Sequence, residues 1–151
     1  MSFLNAVINQ VGSEELREVL QERVDIIQHK IKFMDKVAVA CLDSENNSSG
    51  LLKDILNTAG AELQEDAVNA RVLIYCENDM SMLQLMGSVP ALLKPEWPAV
   101  EYDRVYLYDD SLSLTEAETA VDALEDLAEM LYPGYFVFGN EGKTWMSFKT
   151  K

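Results

Sequence analysis

Two groups of carboxylates stand out in this 151-residue chain, and each points to a different chemistry. The first group follows three short apolar runs. VAVACL (37–42) leads into Asp43 and Ser44, VLIYC (72–76) into Glu77, Asn78 and Asp79, and VYLY (105–108) into Asp109, Asp110 and Ser111. If those runs are neighbouring parallel strands, Asp43, Glu77, Asp79, Asp109 and Asp110 gather on one rim of a sheet, where open α/β sheets hold their ligands. An all-oxygen set of that kind suits Mg²⁺, Mn²⁺ or Ca²⁺. The same residue types after a strand also serve as helix N-caps and turn formers, which need only local chemistry.

The second group lies along one helical segment. Ala117, Ala120, Val121, Leu124, Leu127 and Leu131 recur at helical spacing and define its buried face. Glu118, Asp122, Glu125 and Glu129 follow at i, i+4, i+7 and i+11, with Asp126 alongside. Like charges at that spacing weaken a helix by a few tenths of a kcal/mol per pair, roughly. No Lys or Arg lies between Arg104 and Lys143, a span with nine acidic residues. An unmixed stripe of this kind is expected to serve a basic protein partner through electrostatic complementarity; the alternative is an acidic solvated face. Ser113-x-x-Glu116 just before the helix reads as a capping box.

Other chemistries find little support. There is no GxGxxG and no GxxxxGK[ST], so neither a dinucleotide nor a P-loop fingerprint. The loop SENNSSG has one glycine and no lysine, a poor phosphate cradle. His29, the single histidine, sits beside Lys30 on a charged helix end with no second metal ligand near it in sequence. Cys41 and Cys76 form no CxxC pair, and each lies inside an apolar run, as a small buried hydrophobe would.

Elements must position these groups. Phe3, Leu4, Val7, Ile8 and Val11 mark a first helix closed by Gly12. Ser13 with Glu14 and Glu15 then starts a second, whose apolar stripe runs from Leu16 to Met34 and whose basic residues fall at its end. That stripe is either core or a dimerisation face. Three apolar runs start at Val37, Val72 and Val105, and a fourth, Tyr135–Phe138, follows at similar spacing. Each interval holds a helix, as strand–helix–strand units require. Runs apolar on both faces are those of parallel strands covered on both sides. FVF and TWMSF around Gly139-Asn140-Glu141-Gly142 predict a β-hairpin, its last strand antiparallel. The predicted architecture is α/β: a mostly parallel sheet of four or five strands flanked by helices, two N-terminal helices and a C-terminal β-hairpin. It is expected to form a single domain over residues 1–151, with a helical segment 1–34 and a sheet-and-helix core 37–151.

The 26 acidic and 12 basic residues give a net charge of −14, which opposes contact with nucleic acid and anionic membrane surfaces. No run of apolar residues is long enough to span a bilayer, and the N-terminus lacks the pattern of a secretory signal. With the two isolated cysteines, this predicts a reducing cytoplasm. The leading expectation is therefore a non-enzymatic cytoplasmic binding, inhibitor or adaptor protein. It would engage a basic protein through Glu118, Asp122, Glu125, Asp126 and Glu129, without cofactor, direct nucleic-acid contact or membrane. One alternative is a Mg²⁺- or Mn²⁺-dependent enzyme acting on a phosphorylated substrate through the rim carboxylates. Another is a structural or regulatory oligomer subunit, with a homodimer as the expected assembly.

Overall fold

The computed structural model describes residues 3–47, 52–77, 81–109 and 116–148. Two helices, α1 (Phe3–Asn9) and α2 (Glu14–Ile31), precede β1 (Val37–Leu42). The chain continues through α3 (Lys53–Thr58), β2 (Ala61–Leu63), a 3₁₀ turn (Ala67–Asn69), β3 (Val72–Tyr75) and α4 (Met82–Ser88). After a second 3₁₀ turn (Val89–Ala91) come α5 (Pro98–Glu101), β4 (Val105–Tyr108), α6 (Ala117–Leu131) and β5 (Trp145–Phe148). The five strands form one sheet in the order β2-β1-β3-β4-β5. All neighbours are parallel except β4 and β5, which run antiparallel with Tyr108 opposite Trp145.

Period-two alternation in the strands divides the core into two layers. Val39 and Cys41 of β1, Val72 and Ile74 of β3, and Tyr106 and Tyr108 of β4 meet α1, α2, α3 and α6. Ala40, Leu42, Leu73, Tyr75, Val105 and Leu107 face the other way, onto Leu85, Val89, Trp97 and Ala99. Both faces of the central strands are therefore dry, which is why the runs show no polar alternation. The mostly parallel α/β architecture, with its two leading helices and its antiparallel last strand pair, is the predicted one.

The stripe of α2 is core. Leu20, Val24 and Ile27 are buried, and the helix packs on α6. Its start is built as the sequence predicts: Ser13 accepts a hydrogen bond from the Leu16 N–H (3.3 Å), and Glu14 and Glu15 occupy the first turn. The apolar area offered to a dimer partner is thus largely spent within the chain.

Two strands differ from expectation. Tyr135–Phe138 does not join the sheet, because Pro133 and Gly134 (φ 87°) turn the chain while it is still in the helical layer. There Phe136 is buried against Tyr132, ring edge to ring face, and the Phe138 N–H donates to Glu129. The edge of β4 is taken by β5 instead, so the predicted turn at 139–142 forms with a strand on one side only. Conversely, the stretch after Gly60, which lies outside the four predicted apolar runs, supplies β2, paired with β1 from Val37–Ala61 onward.

Candidate functional site

Strand order puts a topological switch between β1 and β3: the chain leaves β1 toward β2 on one side and returns to β3 on the other. A crevice opens beyond the carboxyl ends at such a point, because the two connections diverge. The groups around it come from the predicted rim. Asp43 begins the turn after β1, its Oδ1 accepting from the N–H groups of Glu45 (2.8 Å) and Asn47 (3.0 Å). This is the local turn chemistry of Asp. Inside that turn Asn46 adopts φ 63°, a left-handed conformation that Asn tolerates better than most residues.

Asn46 joins three segments. Its Nδ2 donates to the Leu92 carbonyl (3.0 Å), and its Oδ1 accepts from the Tyr75 hydroxyl (2.7 Å). Tyr75, at the end of β3, is fully buried, and burial pushes its phenol above the ordinary tyrosine range, so it acts as a donor and not as a base. Sequence reading passed over both residues. The available signal was a polar-tipped side chain in an otherwise apolar strand, since a buried Tyr hydroxyl needs a partner.

Glu77 lies two residues beyond Tyr75, next to Cys76, whose N–H donates to the Leu42 carbonyl (3.0 Å). The Oε2 of Glu77 is buried and has no hydrogen-bond partner among the described residues. Asp109 continues the β4–β5 pairing, its N–H donating to the Thr144 carbonyl (2.9 Å). Asp79, Asp110 and Ser113 lie outside the described residues. Among the described residues no three of His, Cys, Asp and Glu are grouped to hold a metal ion.

The acidic stripe is not one free surface. Arg23 of α2 reaches across to α6, its Nη2 bonding Asp122 Oδ1 (2.5 Å) and Glu125 Oε1 (2.6 Å) and its Nε bonding Glu125 Oε2 (3.2 Å). The bond to Glu125 is the main reason the guanidinium is held still more firmly protonated than usual, against the opposing cost of burial. Asp126 is 1% exposed and accepts from Thr144 Oγ1 (2.6 Å) and Asn140 Nδ2 (3.0 Å), tying α6 to the turn before β5. Burial raises its pKa, and the two hydrogen bonds partly offset that rise. Glu129 accepts from the Phe138 N–H (2.6 Å). Glu118 remains on the exposed side. Helical spacing alone does not report Arg23, which lies about a hundred residues earlier in the chain.

No known protein-family model matches this sequence, and no curated protein does. Solved structures do resemble the fold. An ABC transporter substrate-binding protein from Listeria monocytogenes matches with a TM-score of 0.62 at 18% identity, over 85% of this chain and 63% of that one. Helicobacter pylori CeuE with Ni(II) bound matches at 0.58 and 17%, over 79% of this chain and 45% of that one. A periplasmic binding protein from Veillonella parvula matches at 0.56 and 20%, over 82% and 52%. The likeness is one of fold, and the chain spans about half the length of these proteins.

That likeness corrects the functional reading. The shared fold is used by binding proteins of transporters and of the periplasm, whose named ligand is a substrate or a metal ion. The expected cytoplasmic adaptor or inhibitor of a basic protein is overturned, and with it the metal-dependent enzyme. The physical reasons lie in the chain. Most of the stripe is consumed by Arg23, Asn140, Thr144 and the Phe138 backbone, and the α2 stripe is covered by α6. Cys41 and Cys76 are buried thiols, so their presence says nothing about the redox compartment.

Proposed function

We propose that this chain is one lobe of a solute-binding protein of the transporter-associated kind, capturing a small polar solute against the carboxyl ends of β1 and β3. One observation carries the reading: the β1/β3 switch point holds Glu77, whose buried Oε2 lacks a partner among the described residues. A buried acceptor left unmade costs about 1–3 kcal/mol, which a ligand N–H or O–H would recover. The Asn46–Tyr75–Leu92 bonds support it by holding the crevice wall rigid without using Glu77.

Binding proteins of this kind close two domains around their ligand. The opposite wall of the site would then come from a second lobe, in another polypeptide or in sequence beyond these 151 residues. On this reading the protein works outside the cytoplasm, and cell fractionation should find it there.

The test is a thermal-shift screen of small polar solutes and of metal ions, Ni²⁺ included, against the chain and its Glu77→Gln variant. A ligand at one hundred times its Kd adds about 2.7 kcal/mol to stability. Binding that Glu77→Gln weakens at least tenfold supports the rim site. A hit that Glu77→Gln leaves unchanged, or a panel without hits, counts against it.

A further inference from the structure

Between the chain that leaves α6 and the β5 edge of the sheet lies a cleft of about 170 Å³. At about 30 Å³ per water-sized group, that is room for roughly five or six non-hydrogen atoms. One side of it is the segment turned back at Pro133 and Gly134, where Phe136 is buried and the Phe138 N–H is bonded to Glu129. The other side is one face of β4 and β5. Tyr106 stands opposite Ser147, and Tyr108 opposite Trp145, in the antiparallel pair. Residues directly opposite in such a pair project from the same face. Tyr106, Phe136 and Trp145 accordingly share one core layer, the one that meets α6.

The walls carry three kinds of group. Tyr106, Phe136 and Trp145 supply aromatic surface, with Tyr106 and Trp145 packed edge to face at 5.7 Å between ring centroids. Glu129 and Glu141 supply carboxylates, each fixed through one oxygen. Glu129 Oε1 accepts from the Phe138 N–H (2.6 Å), and Glu141 Oε1 accepts from the Ser147 hydroxyl (3.1 Å). No hydrogen bond from a described residue reaches the Oε2 of either. The third group is the indole N–H of Trp145. This side chain is 3% exposed, and its Nε1 has no hydrogen-bond partner among the described residues. Aromatic walls with carboxylates suit an organic cation, and an unmet buried donor calls for an acceptor on the same ligand.

We propose that this cleft binds a small amino alcohol, its ammonium group held by Glu129 and Glu141 and its hydroxyl oxygen accepting from Trp145. The site is separate from the β1/β3 rim and does not depend on what binds there. Two protein cations approach the same rings without lining the cleft: Arg104 lies 5.8 Å from the Tyr106 centroid and Lys30 5.4 Å from that of Phe136. They oppose a second positive charge, so the ligand is a monocation.

The experiment titrates the isotope-labelled full chain with ethanolamine, ethylamine and ethanol at neutral pH and low ionic strength, following the two indole N–H signals by NMR. Trp97 lies in the other core layer, so its signal is the internal control. Ethanolamine should shift the Trp145 signal saturably and leave that of Trp97 in place. Ethylamine and ethanol should each bind at least tenfold more weakly. Glu129→Gln and Glu141→Gln should each weaken ethanolamine at least tenfold, since an amide oxygen still accepts from Phe138 or Ser147 and only the charge is lost. Glu118→Gln removes the same charge from the exposed side of α6 and should change nothing. Salt should weaken binding. The proposal is overturned if ethanolamine gives no saturable shift of Trp145, or if ethylamine or ethanol binds as tightly. Equal weakening by Glu118→Gln and Glu141→Gln overturns it in favour of a diffuse acidic field. Weakening by Glu77→Gln and not by Glu141→Gln overturns it too, since the ligand would then sit at the rim.

Discussion

At the scale of single residues, Arg23 and Asp126 decide what the acidic helix is for. Replacing Arg23 by Gln leaves Glu125, only 15% exposed, without its bidentate partner and should cost about 1–3 kcal/mol. Urea unfolding of Arg23→Gln beside Glu118→Lys separates the roles, since Glu118 lies outside the network and its reversal should stay within about 0.5 kcal/mol. Equal losses in both variants would contradict the assignment. Asp126 makes a prediction in pH. Burial holds its folded-state pKa above the ordinary aspartate range, so the folded chain holds that proton more tightly than the unfolded chain. Stability from this group is fully present below the unfolded value and is lost as pH rises through the raised folded one. The melting temperature of the protein relative to Asp126→Asn should therefore increase on acidification and level off below about pH 4. A difference that shrinks on acidification would reverse the sign and refute the cause given.

At the scale of elements, the joint between α3, β2 and the end of α6 is closely packed. Gly60 closes α3 at φ 99°, and a Cβ there would come within 2.6 Å of the Tyr132 hydroxyl. That hydroxyl is not free to move, because it donates to the Asp35 carbonyl (2.9 Å). Gly60→Ala should thus cost about 1–3 kcal/mol through backbone strain alone, with further loss if the Tyr132 bond breaks. Gly60→Ala in a Tyr132→Phe background measures the second part, and calorimetric melting is the readout. The end of α6 has no basic residue in its last turn. Arg104, from the entrance of β4, supplies the positive charge its carbonyls prefer. One side chain thereby ties a helix end to a strand start.

At the scale of the whole molecule, charge and fold pull in different directions. A net charge of −14 on a chain of 151 residues favours the expanded state through self-repulsion. Raising NaCl from about 10 to 200 mM shortens the Debye length from roughly 30 Å to below 10 Å. The melting temperature should rise over that range, because long-range repulsion is screened more than the partly buried Arg23 pair. A fall would mean that attractive pairs outweigh repulsion across the surface.

The three central strands, the α2 cap at Ser13 and the apolar face of α6 were legible because each rests on neighbours in sequence: apolar periodicity, a capping residue, a glycine after a helix. That carboxylates stand just past the strand ends was legible for the same reason, since Asp43 and Asp109 follow a strand directly and Glu77 follows β3 after one residue. Whether Tyr135–Phe138 joined the sheet was not a local matter. The strand edge was contested by β5, and the Glu129 bond to Phe138 held the losing segment in the helical layer. The acidic stripe fared likewise. Its five carboxylates look unopposed along the helix, yet Arg23, Asn140 and Thr144 meet them from far along the chain. Local pattern determines which face of an element is apolar and where the element stops. Only the packing of distant elements decides which charges are left for a ligand, because a salt bridge or a buried hydrogen bond depends on distance in space and not on separation in sequence.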